Sequence, residues 1–390
     1  MQRKAIVPGP TIATTNAARV VTLMDCIHDY GRRALEGIAR FGNTQGGWTL
    51  ELHHEDQIHQ RLPPIADNVV GIIAHAFRPK LIDAIRRTGL PAVNTSSVLH
   101  RTGLPTVIPD NDAIGVTAAD DLVRRGFHRL MTFVHPRWFH SVQRAAAFER
   151  TARSSGASVV TVELTSIQRA EDDIATALAD SPTPLGVFAG SDGMAVFAVR
   201  QCLHLGLSMP EQVAVLGVDN DSLTTRMMSP SISSVELPWE KLGYEAAARL
   251  HRLLQGETDD DGPQLIPPTG VVTRQTTDGV SVADGAVASA IAFIRQRLTV
   301  PFTLDDLAAE VALSRRSLEL RFKKATGRTL QGYLTEARIE RAKQLLTETD
   351  RAMPDIAESS GFTNASYFAT AFRKHASTTP TAFRARHRLG

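Results

Sequence analysis

Six short runs rich in β-branched residues recur between Arg19 and Asp219, and their near-continuous apolarity is the strongest constraint in the chain: RVVTLM (19–24), VVGIIA (69–74), RLMTFV (129–134), SVVTVEL (158–164), LGVFAG (185–190) and VAVLGVD (213–219). A strand on a half-solvated sheet alternates apolar and polar residues. A strand that is apolar throughout has to be covered on both faces, as in a parallel sheet between layers of helices. Stretches with helical spacing lie between the runs, among them YGRRALEGIARF and DGMAVFAVRQCLHLGL. There are too many such βα units for one comfortable sheet. Residues 18–277 are therefore expected to form two α/β lobes with a cleft between them.

The pattern stops at TTDGVSVADGA (276–286), which is small and polar and predicts a linker at 278–286. No strand-like run follows it, and residues 287–390 show helical spacing only. The charge changes at the same place. From Ala286 onward there are 17 Lys and Arg against 10 Asp and Glu, whereas the preceding part carries 26 against 31. A basic module on an acidic body suits DNA, because Lys and Arg release condensed counterions from phosphates. Only a short tail (1–17) precedes the first run, too little for a DNA-binding domain there.

Other classes find less support. The start of the chain lacks the apolar core of a signal peptide, and no apolar run is long enough to span a membrane, so a cytoplasmic protein without a membrane partner is expected. Cys26 and Cys202 both lie in apolar runs and read as reduced, buried thiols rather than a disulfide or zinc site. His53, His54 and His59 in HHEDQIH read as a solvated loop rather than a metal site. There is no G-x-G-x-x-G after the first run, no G-x-S-x-G and no P-loop. Neither an enzyme nor a cofactor is expected.

The helical end contains a repeat. In TLDDLAAEVALSRRSLELRFKKATG (303–327), Thr303 can cap a helix whose apolar face is Leu304, Leu307, Ala308 and Val311. A turn falls at Ala312–Leu313, and Ser314 can cap a second helix. On that helix Leu318, Phe322 and Ala325 share one face, while Arg316, Glu319, Leu320 and Lys323 share the other. This is a helix-turn-helix over 303–325 that shows donors, an acceptor and an apolar tip to a groove. The pattern returns over 353–375: Ile356 and Ala357 replace Leu307 and Ala308, Phe368 and Phe372 replace Leu318 and Phe322, Gly361 lies in the turn, and Asn364 or Thr363 caps. The outward face is now Ser366, Ala369, Thr370 and Arg373. Between the units, LQGYLTEARIERAKQLLTE predicts one helix of roughly 28 Å at 1.5 Å per residue. Major-groove entries on one DNA face lie about 34 Å apart, so both reading helices can enter successive grooves.

These residues resemble the AraC-type DNA-binding domain. The match is carried by A-x-x-V-x-L-S at 308–314, L-x-x-R-F-K-K-x-T-G at 318–327, R-x-x-x-A-K-x-L-L at 338–346, I-A-x-x-x-G-F, S-Y-F-x-x-x-F-R-K, and T-P-x-x-F-R ending at Arg384. Thr378 stands where the family places a Gly before Thr-Pro. Arg315, Arg316 and Glu319 are expected to carry most base readout from a helix opened by Ser314, with Leu320 as the apolar tip. Lys323, Lys324, Arg373 and Lys374 are expected on phosphate. Asn364, Ser366, Ala369 and Thr370 are expected to contribute weaker base preference.

The body resembles the periplasmic-binding-protein-like (Rossmann-like) sugar sensors of the LacI/GalR type. LGVFAGSDGMAVFAVRQCLHLGLSMPEQVAVLGVDNDSL carries this resemblance, with one run ending at Ser191-Asp192 and the next at Asp219. In that family such strand ends line the cleft, and Arg144 in QRAAAF sits where the family places a sugar-binding Arg. Asp25 ends the first run and Tyr30 opens the next helix. A carboxylate accepts from adjacent sugar hydroxyls and an Arg donates to their oxygens, so Asp25, Arg144, Ser191, Asp192 and Asp219 are the expected polar contacts. Tyr30, Trp138 and Phe139 are expected to pack on the ring.

A sensor of this kind placed before an AraC-type module resembles the bacterial regulators of xylose catabolism. That resemblance implies a sugar-responsive transcription regulator, an activator answering D-xylose or another pentose, working as a homodimer on double-stranded operator DNA, with RNA polymerase a further partner to consider. Nothing in the cleft residues alone selects a pentose. A different sugar, or a ligand-independent architectural DNA binder, stays open at this point.

Overall fold

A computed structural model describes residues 18–54, 68–258, 262–279, 282, 284–300 and 302–387. The first lobe is a four-stranded parallel sheet in the order β2-β1-β3-β4. Its strands are β1 (Arg19–Met24), β2 (Thr49–His54), β3 (Val69–Ala74) and β4 (Ala92–Asn94). Side chains alternate between two cores. Val20, Ile73 and Val93 pack toward α1 (Asp29–Phe41), while Val21, Leu23 and Ile72 pack toward Ile82 and Ile85 of α2 (Pro79–Arg87). Both faces are covered, which is why β1 and β3 read as unbroken apolar runs.

The chain crosses to the second lobe through β5 (Val107–Pro109) and α3 (Asn111–Arg124). There follow β6 (Arg129–Val134), α4 (Phe139–Ser154), β7 (Ser158–Glu163), α5 (Ala170–Ala179), β8 (Leu185–Phe188), α6 (Asp192–His204), β9 (Val213–Val218), α7 (Ser222–Met227) and β10 (Ser233–Glu236). It returns to pack α8 (Trp239–Leu254) against α1, then crosses again through β11 (Gln264–Ile266) to β12 (Gly270–Val272). The second sheet has the order β12-β10-β9-β8-β6-β7, parallel except for β12. α5 and α6 cover one face, and α3 and α4 the other. β5 and β11 pair with each other and form part of the waist between the lobes. At the crossing of α1 and α8 a methyl on Gly37 would stand 1.9 Å from Glu240 O, and one on Gly243 1.9 Å from Ala34 O. Only glycines let these backbones meet.

The six expected strands are present within a residue or two. The short strands β2, β4, β5, β10, β11 and β12 carry too little pattern to stand out: β2 alternates polar and apolar residues, and β4, β5, β11 and β12 have three residues each. His53 and His54 close β2, with His53 Nε2 2.8 Å from Glu51 Oε1, and His59 lies outside the described residues. Among the described residues there is no cluster of metal-ligating side chains.

The remainder is helical: α9 (Gly285–Gln296), α10 (Leu304–Glu310), α11 (Arg315–Thr326), α12 (Leu330–Glu348), α13 (Met353–Ser359), α14 (Ala365–Ala376) and α15 (Pro380–His387). α9 starts inside the stretch expected to be linker, because the Asp284 carboxylate caps it from 3.1 Å at Ala286 N and 3.2 Å at Val287 N. α12 serves two cores. Leu330 and Leu334 pack with α9, α10 and α11, whereas Ile339, Ala342, Leu345 and Leu346 pack with α13 and α14.

Candidate functional sites

The C-terminal ends of the two sheets face one another across the waist. Asp25 follows β1. Its Oδ1 accepts the Ile27 N–H (2.7 Å) and the His28 N–H (3.3 Å), and its Oδ2 accepts the Tyr30 hydroxyl (3.1 Å) and lies 2.5 Å from His28 Nδ1. Burial works to raise the carboxyl, but the His28 ring and the backbone donors outweigh it and hold the group below its usual range. A methyl on Gly31 would lie 1.5 Å from Asp25 O, so the start of α1 is pressed onto this turn. Tyr30 then packs against His75, at the end of β3, and Trp239, with centroids 5.2 and 5.3 Å away. Asp25 and Tyr30 do come together. Asp25 spends both oxygens on fixing Tyr30, His28 and the turn.

Opposite lies the start of α4. Trp138 stacks on His135 (4.3 Å, 17°) and more distantly on His140, while Phe139 meets His100 at 4.3 Å. The backbone N–H groups of Phe139 and His140 donate to Val98 O (2.9 Å) and Ser97 O (3.0 Å), from the loop after β4, and tie the lobes together. One turn further on, the buried Arg144 donates Nε to Asn111 Oδ1 (2.9 Å) and Nη1 to Gly190 O (2.7 Å). Burial opposes its charge, and Asp219 and Asp192 support it. Asp219 follows β9 with φ of 105°, a region that side-chain-bearing residues rarely adopt. Burial pushes its carboxyl up to about 6 despite Arg144. Among the described residues nothing donates a hydrogen bond to this carboxylate.

Ser191 and Asp192 are both engaged within the protein. Ser191 Oγ caps α6 by accepting the Met194 N–H at 3.3 Å. Asp192 is buried, and both its oxygens are engaged: Oδ1 accepts the Ser234 hydroxyl (2.6 Å) and Oδ2 the Asp221 N–H (2.8 Å). These two residues fix the walls and shape the loop that presents Asp219. Asn220 in that loop accepts Arg274 Nη2 at 2.6 Å and donates to Glu236 at 3.1 Å.

Four further residues of this cluster escaped the sequence reading. His75 follows β3 as Asp25 follows β1, a signal that strand-end reasoning could have used. Burial pushes it down to about 4, and His140 down to about 3, so both rings are neutral near pH 7. His140 lies four residues before Arg144 on the same helix, also a legible spacing. His135 follows β6 and carried the same strand-end signal as His75, whereas Asn111 had none. The buried Nδ1 atoms of His75 and His135, and Nε1 of Trp239, have no hydrogen-bond partner in the protein. A buried polar group costs energy until something pairs with it, so the cluster suits a polar guest.

The helical half presents a second surface. Thr303 and Asp306 form a capping box, Ala312 turns the chain with φ of 52°, and Ser314 caps α11 by accepting the Ser317 N–H at 3.3 Å. Leu318 and Phe322 are buried, and Arg316, Lys323 and Lys324 are exposed, with Leu320 63% exposed at the tip. Arg315 and Glu319 are paired at 3.0 Å, with Asp305 3.5 Å from Arg315, so neither stands free on the outward face. In the second unit Gly361 has φ of 78°, and a methyl there would lie 2.2 Å from Leu298 O. Asn364 Oδ1 caps α14 through the Ser366 and Tyr367 N–H groups (2.8 and 3.1 Å). Ser366, Thr370, Arg373 and Lys374 are exposed, and Ala369 is half-buried. Tyr367, 51% exposed at the opening of α14, was not anticipated.

Known proteins resemble this chain in both halves. The periplasmic binding protein-like domain matches residues 119–277, and a helix-turn-helix domain matches 307–386. The xylose operon regulatory protein of Haemophilus influenzae is 28% identical over 386 residues, covering 94% of this chain and 98% of that protein. Its Escherichia coli K12 counterpart is 29% identical over 386 residues, covering 95% and 97%. A solved xylose-binding transcription activator superposes with a TM-score of 0.80 at 26% identity, covering 95% of this chain and 98% of its own.

Proposed function

We infer that this chain, a full-length homologue of the xylose operon regulatory proteins, is a transcription regulator whose interlobe cleft takes D-xylose and whose double helix-turn-helix takes operator DNA. The observation that carries the reading is the buried Arg144 beside Asp219, where the two lobes meet; Tyr30, Trp138 and Phe139 are the proposed aromatic walls. A carboxylate free of protein donors can accept from two adjacent hydroxyls, and the guanidinium beside it can donate to a ring or hydroxyl oxygen. Apolar ring faces of the sugar suit the aromatic walls. His75 and His135, with unpaired nitrogens, are added to the expected polar contacts.

The sugar favours the closed cleft because its contacts to both lobes exist only there. Closure raises the population of the arrangement in which the reading helices fit the operator, as linkage requires of a ligand with differential affinity. Arg316 reads bases from α11, joined by Arg315 and Glu319 once DNA competes for their ion pair. Lys323, Lys324, Arg373 and Lys374 hold phosphates. Two such chains form the dimer that spans an operator, activation proceeds by contact with RNA polymerase, and the site of action is the cytoplasm.

A thermal-shift screen of the free protein against pentoses and hexoses tests the effector, because a bound sugar stabilises the native state by mass action. D-xylose should raise Tm in a concentration-dependent manner. No shift with any pentose would remove the reading.

A further inference from the structure

We propose that Arg295 is the positioning residue through which the sugar cleft sets the placement of the DNA-reading module. The inference rests on the sugar-responsive reading above. α6 begins in the cleft at Asp192, and β9 returns to it just before Asp219. The turn that joins their far ends contains Met209, Pro210 and Glu211, and the helical half docks there. Arg295 of α9 donates Nη1 to Met209 O (2.8 Å) and Nη2 to Asp278 O (2.8 Å), and lies 3.2 Å from Glu211 Oε1. The Glu211 side chain is only 2% exposed. Burial raises the Glu211 carboxyl, and Arg295 counters it.

The Tyr333 hydroxyl, on α12, the helix that joins the two reading units, lies within electrostatic reach of the Arg295 guanidinium, which counters the rise that burial gives its pKa. The Tyr333 ring meets Phe322 of α11 edge-on at 5.5 Å. At the other end of α9, Asp284 takes both Arg321 Nε and Nη2 of α11 at 2.7 Å. One helix is thus fastened to the sensor turn, to the connecting helix and to the first reading helix. α6 and β9 share one packed core, including Ala195, Val199, Cys202, Val213 and Val215. Packed cores move as units, so a change at Asp219 or Asp192 reaches the 208–212 turn as a displacement of the whole pair. Arg295 passes it on because it is bonded to the turn while its own helix, α9, packs in one core with Leu330 and Leu334 of α12.

The test uses the full-length chain with Arg295→Met and Glu211→Leu combined. Replacing a buried ion pair by apolar residues is often neutral for stability, whereas removing one partner is not. Operator Kd is measured with and without D-xylose, alongside the D-xylose Kd of the free protein. The expected result is that the sugar-induced change in operator Kd falls at least about tenfold toward no change, with the free-protein sugar Kd moving less than about threefold. Fluorescence energy transfer between dyes on the second lobe and on α14 should broaden in the double variant, sugar or no sugar. A responding wild type matched by an equally responsive double variant, or an unchanged transfer distribution, overturns the role of Arg295. A wild type whose operator affinity ignores D-xylose overturns the sugar-responsive reading as well.

Discussion

Asp221 Oδ2 accepts the backbone N–H of Asp29 at 3.1 Å, a hydrogen bond from the second lobe to the first between residues 192 positions apart. The same carboxylate caps α7 through Oδ1, at 2.8 Å from the Thr224 N–H. One side chain therefore orders the loop behind Asp219 and holds the lobes together.

Asp221→Ala removes both roles. Loss of a helix cap costs about 1 kcal/mol, and loss of the interlobe bond about as much again. Urea denaturation should show a loss of roughly 1–2 kcal/mol, and calorimetric titration a weaker sugar affinity. An unchanged affinity would mean that the interlobe bond plays no part in closure.

Asp219 governs a pH dependence whose sign can be worked out. Its folded pKa of about 6 lies above the ordinary 3.8, so the folded state holds the proton more tightly. Stability from this group is present below pH 3.8 and is lost as pH rises to about 6. His75 acts in the opposite sense: its pKa of about 4 lies below the ordinary 6.5, so its contribution is present above 6.5 and is lost as pH falls toward 4. Asp219→Asn should make the sugar-free protein more stable at pH 7 by on the order of 1–3 kcal/mol, since Asn tolerates positive φ and carries no buried charge. The same change should abolish sugar binding. Melting curves of both proteins between pH 4 and 8 check this; a variant less stable at pH 7 than the wild type contradicts it.

The reading face should divide by chemistry. Arg316→Ala is expected to relax sequence preference, at about 1–3 kcal/mol for the base pair it reads. Lys323→Ala should weaken specific and random DNA alike and reduce the salt slope by about 1. Binding isotherms on operator and scrambled duplexes at several salt concentrations distinguish them. Equal losses on both duplexes for Arg316→Ala would move that residue to the phosphates.

Gly361→Ala meets two obstacles, a φ of 78° and Leu298 O at 2.2 Å from the new methyl. A loss above about 2 kcal/mol is expected in the helical half, from strain and displacement together. Hydrogen exchange should show α13 and α14 opening while the lobes keep their protection. Protection equal to that of the wild type in α14 would speak against the tight contact.

Element type was legible wherever a pattern repeats locally. The apolar runs gave β1 and β3 of the first sheet and β6 to β9 of the second, and Thr303, Ser314 and Asn364 announced their helices because a cap needs only the next three backbone N–H groups. The residues LQGYLTEARIERAKQLLTE coincide with α12 from end to end. The site was legible only as a set of strand ends.

Which of those ends stay available was decided by contacts between distant segments. Asp25 and Asp192 are acidic strand ends like Asp219, yet Tyr30 and His28 claim the first, and Ser234 and the Asp221 backbone claim the second. Arg315 looked as free as Arg316 until Asp305 and Glu319 came within reach. The pairing of Arg295 with Glu211 had no trace in either local sequence, since each reads as an ordinary surface charge on its own element. Periodicity and capping depend on neighbours along the chain, so the sequence determines them by itself. Hydrogen-bond partners and buried charges depend on what folding brings alongside, and only the tertiary structure decides those.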